Sequence, residues 1–258
     1  MRLPNLYERY YTKKIFTFDS AKKDLNISSH NLKLMVYNLK KRGYLGGIKK
    51  GLYYIIPFEN IGKEYTINRF LIGANLLPNC ALSFHTALEI HGISYSTFNV
   101  TYISADSYSR SFEFQGIIYK PVISNITFGI EEKEIEGVPT KVTNIERTII
   151  DCLNKIEYSG GVEEFIKSVF IPMNIDQQKL LNYLVEFNKK ILFAKCGWLL
   201  SMLEKYKDFQ FQAKDEFKKN IGSRTYDLIK SASDEKMYID NFWNLRIPIR
   251  FKELTKNV

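Results

Sequence analysis

Cysteine is scarce in this chain, three residues in 258, at positions 80, 152 and 196. No C-x-x-C pair occurs and an odd number cannot close a full disulfide set, so a stapled framework is set aside and Cys80, Cys152 and Cys196 read as buried thiols. Histidine is as rare. His85 and His91, in "HTALEIH", stand six apart and point to different sides of a helix, unlike the pair in H-E-x-x-H. No metal site and no cofactor is expected. Apolar runs of membrane-spanning length are missing, and "MRLPNLYERYYTKK" has polar breaks where a signal peptide needs an apolar stretch. The expected location is cytoplasmic, with no membrane partner. A glycine-rich phosphate loop, a G-x-S-x-G elbow and a Cys–His pairing are all lacking, which leaves common nucleotide and acyl-transfer chemistries without a carrier.

The first sixty residues also lack acid. They hold twelve Lys and Arg against Glu8, Asp19, Asp24 and Glu59, a net of +8, whereas the whole chain carries +9. Charge so concentrated points to a polyanionic partner. The composition, 45% hydrophobic and 25% charged, is that of a globular protein, and 258 residues exceed one average domain.

Pattern narrows the partner. From Ser29, the residues Leu32, Met35, Val36 and Leu39 fall at i, i+3, i+4 and i+7, one apolar stripe of a helix. His30, Lys33, Tyr37 and Lys41 fall on the opposite side. Ser28 or Ser29 is the expected cap and Gly43 the stop. Upstream, "FDSAKKDLN" reads as a two-turn helix capped by Asp19 or Ser20, with Ala21 and Leu25 inward, followed by a tight turn. Downstream, "YLGGI" and "LYYII" around Lys49-Lys50-Gly51 read as a hairpin with a basic tip. Helix, turn, basic helix, hairpin is the order of a winged helix-turn-helix, whose second helix enters a DNA major groove. The expected DNA-binding set is Ser29, His30, Lys33, Tyr37, Lys40, Lys41, Arg42, Lys49 and Lys50. Of these, His30, Lys33 and Tyr37 are expected near base edges, and Lys41, Arg42, Lys49 and Lys50 on phosphates.

Residues 1–62 are expected to form this domain and residues 63–258 a larger mixed α/β domain, an α+β protein overall. In the larger part, "YTINRFLIGANLLPN" reads as a helix, and "LSFHTALEIHGI" as another capped by Ser83 and stopped by Gly92. Strand-like runs from about 98 to 142 suggest a small antiparallel sheet. "TNIERTIIDCLNKI" begins with a Thr143–Glu146 capping box and carries Arg147 and Asp151 at i, i+4. The remaining chain is expected to be mostly helical.

"GLYYI" (51–55), "LSFHTALEIHG" (82–92), "VTNIERTIIDCL" (142–153) with Gly160-Gly161, and "FWNLRIP" (242–248) occur in this order. Together they resemble the AbiEi-type antitoxins of abortive-infection, or type IV, toxin–antitoxin systems, over nearly the whole chain. The resemblance implies a transcriptional repressor that binds double-stranded operator DNA through its N-terminal domain. It also implies that the C-terminal domain opposes a nucleotidyltransferase toxin, and that the chain is not an enzyme. No antitoxic residue is carried over.

The competing class is a metal-dependent nuclease delivered by a winged domain. Its best candidate is Glu131-Glu132-Lys133 with Asp106, since such a site needs carboxylates converging on Mg²⁺. E-x-K recurs at Glu216-x-Lys218, as chance dictates in a chain rich in Glu and Lys, and an exposed charged strand explains the first copy as well. Gly222-Ser223 followed by Asp234-Glu235 suggests a nucleotidyltransferase layout, but adjacent acids on a strand point to opposite faces.

Overall fold

The computed structural model describes residues 5–171, 173–229 and 235–251, a mixed α+β protein. Its contacts divide it into two compact units. One comprises the described residues to Leu82, Asn99–Ile126 and Glu132–Val142; the other comprises Ser83–Phe98, Thr127–Glu131 and the chain from Thr143 onward. The chain passes between these units several times.

The first unit opens with α1 (Asn5–Tyr10), β1 (Ile15–Thr17), α2 (Phe18–Leu25), α3 (Ser29–Lys41), β2 (Leu45–Lys49) and β3 (Leu52–Ile55). Thr17 ends β1 in an extended conformation and caps α2: its Oγ1 accepts from Ser20 N at 3.1 Å, and Ser20 Oγ accepts from Thr17 N at 3.1 Å. This reciprocal box replaces the expected Asp19 or Ser20 cap. Asn26, at φ 50°, ends α2 in the left-handed region that Asn tolerates. Two residues later Ser28 caps α3, accepting from Asn31 N at 3.2 Å. At the far end Tyr44 N donates to Leu39 O and Gly43 N to Lys40 O, both at 3.0 Å, with Gly43 at φ 76°. That pair is a Schellman stop, and Gly43 supplies the positive φ it needs.

The three strands form an antiparallel sheet in the order β1-β3-β2. Gly46 of β2 faces Tyr54 of β3 so closely that a Cβ there would stand 1.9 Å from the phenol ring. Only glycine lets this ring lie across the strand. Leu6, Tyr7, Tyr10, Phe16, Ala21, Leu32, Val36, Leu39, Leu45 and Ile55 pack into one buried cluster, so the segment carries its own core. Each fully buried side chain of Leu size contributes about 1.5–3 kcal/mol.

The unit continues with α4 (Arg69–Ala74) and a six-stranded sheet of β4 (Cys80–Leu82), β5 (Val100–Ala105), β6 (Phe112–Phe114), β7 (Ile117–Ile123), β8 (Ile130–Ile135) and β9 (Val138–Thr143), ordered β6-β7-β5-β4-β9-β8. The sheet is mixed, not antiparallel as expected: β5 pairs parallel with β7 and β4 with β9. The β6–β7 hairpin is one cause, since two reversals after β5 bring β7 back in the original direction. The expected helix, begun at Tyr65 and ending before Pro78 and Asn79, shortens to α4, capped by Asn68, whose Oδ1 accepts from Phe70 N at 2.9 Å.

The second unit holds α5 (His85–Ile90), α6 (Ile145–Asn154), α7 (Val162–Val169), α8 (Gln177–Phe187), α9 (Lys190–Tyr206) and α10 (Lys214–Lys219). A small sheet of β10 (Tyr226–Asp227), β11 (Met237–Asp240) and β12 (Leu245–Pro248) follows, ordered β10-β12-β11. α5 starts after Phe84, at φ 54°, and has no side-chain cap, so Ser83 does not play the expected part. α6 is capped by Asn144, whose Oδ1 accepts from Arg147 N at 3.0 Å. The expected Thr143–Glu146 box does not form: Thr143 Oγ1 meets Thr148 Oγ1 at 2.7 Å, and Glu146 accepts from Asp176 N at 3.0 Å. Arg147, fully buried, places Nε 3.0 Å from both oxygens of Asp151 and its guanidinium over the rings of Phe128 and Phe187. Burial pushes the Asp151 carboxyl up to about 6, against the pull of Arg147.

Candidate nucleic-acid interface

α3 presents two faces with different chemistry. Leu32, Val36 and Leu39 are buried and Met35 is half-buried, the stripe expected from the sequence. His30, Lys33, Tyr37, Lys40 and Lys41 are exposed, and Arg42, the C-cap residue, is exposed as well. Ser29, the first helical residue, is half-buried just after the Ser28 cap. The capped start is thus beside His30, while Lys40 and Lys41 occupy the last turn, where cations suit the helix dipole.

The exposed face holds residues that a search for charge overlooks. Leu34 is 54% exposed and Tyr37 62%, and Asn31 and Asn38 are exposed too. A leucine so open on a helix with a complete buried stripe costs apolar hydration for no packing gain. Its signal in the sequence was its place outside the i, i+3, i+4, i+7 stripe.

Lys49 and Lys50 stand at the β2–β3 turn, but differ. Lys50 is exposed. The Lys49 side chain turns back, with Nζ donating to Leu76 O at 3.2 Å and lying 5.6 Å from the centre of the Phe112 ring. Burial holds this ammonium below the usual lysine value. Lys13 and Lys14 also meet acids, Asp24 at 3.6 Å and Glu136 at 2.7 Å. The uncompensated part of the N-terminal charge is therefore narrower than the +8 counted along the chain, and includes exposed Lys22 and Lys23 at the end of α2 beside the cations of α3 and the hairpin tip.

The catalytic alternatives lie elsewhere. Glu131 is half-buried with Oε1 3.9 Å from His91 Nδ1, and Glu132 and Lys133 are exposed. Asp106 is exposed and accepts from Asn79 Nδ2 at 2.9 Å. In the second copy, Lys218 Nζ donates to Phe242 O. Asp234 of the Gly-Ser/paired-acid layout lies outside the described residues. Among the described residues, no three His, Cys, Asp or Glu gather closely enough to hold a metal ion, and no helix is long and apolar enough to cross a membrane. Cys80, Cys152 and Cys196 are buried free thiols, and burial pushes all three up. His85 is fully buried, with Nε2 3.2 Å from Glu164 Oε1, while His91 Nε2 meets Thr143 O at 2.8 Å.

No family model and no curated protein matches the chain. Its fold is similar to that in the crystal structure of RV2827C protein from Mycobacterium tuberculosis, with a TM-score of 0.59 at 10% sequence identity over 95% of this chain and 92% of that one. At that identity the likeness is one of fold alone.

Proposed function

We propose that this protein is a DNA-binding transcriptional repressor whose segment 1–62 is a winged helix-turn-helix. In this reading α2 and α3 are the helix-turn-helix, α3 lies in the major groove, and the β2–β3 hairpin is the wing. The observation that carries the proposal is the pairing on α3 of a buried apolar stripe with an exposed face rich in cations and hydrogen-bonding groups, held by a core of its own.

Ser29 and the exposed residues His30, Lys33 and Tyr37 meet the groove, while Lys40, Lys41, Arg42 and Lys50 meet phosphates; Lys49 contributes less, because its ammonium already has a carbonyl partner. The motif resemblance to AbiEi-type antitoxins extends the proposal: the repressed operon is the protein's own, and residues 63–258 counteract a nucleotidyltransferase toxin encoded beside it.

Footprinting of the protein's own promoter tests the first part, with a protected stretch expected for wild type and lost for Lys33→Ala together with Lys41→Ala. Rescue of toxin-arrested cells tests the second. It should require residues 63–258 and survive Lys33→Ala. An unprotected promoter contradicts the repressor reading, and failed rescue by a well-expressed protein contradicts the antitoxin reading.

A further inference from the structure

The exposed face of α3 is divided by chemistry as well as by position. At 100° per residue, with Leu32 at the centre of the buried stripe, His30, Leu34, Tyr37 and Lys41 form the outermost line. Lys33 and Lys40 lie on one flank of that line, Asn31 and Asn38 on the other. Lys40 belongs on the hairpin side, since its Nζ lies 3.1 Å from where a Gly47 Cβ would stand. The middle of the helix, the part that meets base edges when a helix is docked in a groove, therefore offers Leu34 and Tyr37 bordered by Asn38, and charge is displaced to the flank and the last turn.

Each base pair shows the major groove a different pattern. Thymine alone carries a C5 methyl, which apolar side chains contact, and adenine presents the N6/N7 pair that Asn reads with two hydrogen bonds. Guanine is read by Arg or Lys, and the cations of α3, Lys33, Lys40 and Lys41, with Arg42 at its C-cap, stand on the flank or in the last turn, away from the middle of the exposed face. Leu34 at 54% and Tyr37 at 62% exposure leave apolar surface in water that a thymine methyl would cover.

We infer that α3 reads A·T base pairs, with Leu34 and Tyr37 against thymine methyl groups and the Asn38 amide on an adjacent adenine. This rests on the DNA-binding reading above and adds to it the class of site. In place of the groove contact given to it above, Lys33, on the flank, then takes a phosphate, and Lys41, at the helix end, positions the helix along the strand. Discrimination comes from shape and amides, while the cations give affinity without preference.

The test uses the full chain. Duplexes selected from a random pool by the protein are sequenced, and the best is rebuilt with deoxyuridine for thymidine, which removes only the methyl groups. Selection should enrich A·T pairs in the contacted steps. Anisotropy should show wild type binding the uracil duplex about fourfold more weakly per methyl contacted. Leu34→Ala should lose only the share of that difference that Leu34 supplies, Leu34→Ala/Tyr37→Ala should bind the two duplexes alike, and Asn38→Ala should lose roughly 5- to 150-fold on the selected site with a smaller loss on random duplex. Enriched G·C pairs, or equal binding of thymine and uracil duplexes by wild type, overturn the inference and leave the DNA-binding reading standing. The second result is also what a protein-docking role for Leu34 and Tyr37 would give. Binding to no duplex at any salt concentration overturns both.

Discussion

Tyr10 Oη donates to Asp24 Oδ2 at 2.8 Å, tying α1 to α2 beneath the proposed DNA-binding helix. The bond holds the Asp24 carboxyl below its usual range, and burial with this bond raises the Tyr10 phenol from 10 to about 12. A depressed carboxyl stabilises the fold above its unfolded pKa and stops doing so as pH falls through the folded value. A raised phenol stabilises below its unfolded value and loses that as pH rises through about 12. The melting-temperature advantage of wild type over Tyr10→Phe should therefore be flat from above the carboxylate range to about pH 10 and shrink on both sides. A constant difference from acid to alkali would contradict the coupling.

Gly46 and Tyr54 make a second testable pair. A methyl group at residue 46 meets the phenol ring, so Gly46→Ala should destabilise the sheet by about 1–3 kcal/mol in urea unfolding. In Gly46→Ala/Tyr54→Ala the clash is gone, and the two losses should fall short of additive. Additive losses would mean the ring simply moves aside.

In the second unit, Arg147→Met leaves Asp151 buried without its guanidinium partner and should cost about 3–5 kcal/mol. Adding Asp151→Leu should restore much of the loss, since no charge then remains in the apolar pocket. Urea unfolding of the single and double variants checks this, and a cost under about 1 kcal/mol for the single variant would contradict it.

Sequence periodicity made α3 legible, because its stripe of Leu32, Val36 and Leu39 is a local property of the helix. The Ser28 cap and the Gly43 stop are local too. Thr17 was missed because it closes a three-residue strand that gives no period of its own, leaving Asp19 and Ser20 as nearer candidates. The sheet was misread for a different reason: alternation marks strands but carries no pairing information, so the parallel pairs β5–β7 and β4–β9 could not be seen. The same limit hid the Lys49–Leu76 contact, whose partners are 27 residues apart. Leu34, Asn31 and Asn38 escaped because charge drew attention to the cations beside them. The split between the two units was illegible because it depends on chain crossings, not on composition.

The two hairpin lysines should behave differently on DNA. Lys50→Ala should make the dependence of log affinity on log salt shallower by about one, the loss of one phosphate contact. Lys49→Ala should change that slope less and lower the melting temperature instead, because its ammonium serves Leu76 O and Phe112. Equal slope changes for the two would show that Lys49 leaves these partners when DNA is present.

The exposed face of α3 is the DNA-binding surface in the proposed function. Its most direct test is a salt titration of duplex binding by full-length wild type and by Lys33→Ala/Lys41→Ala, followed by fluorescence anisotropy. Both residues are exposed, so the variant should melt like wild type. Wild-type affinity should fall linearly on the log–log scale, and the variant should bind more weakly with a slope shallower by about two. Identical affinity and slope for the two proteins would place the binding surface elsewhere.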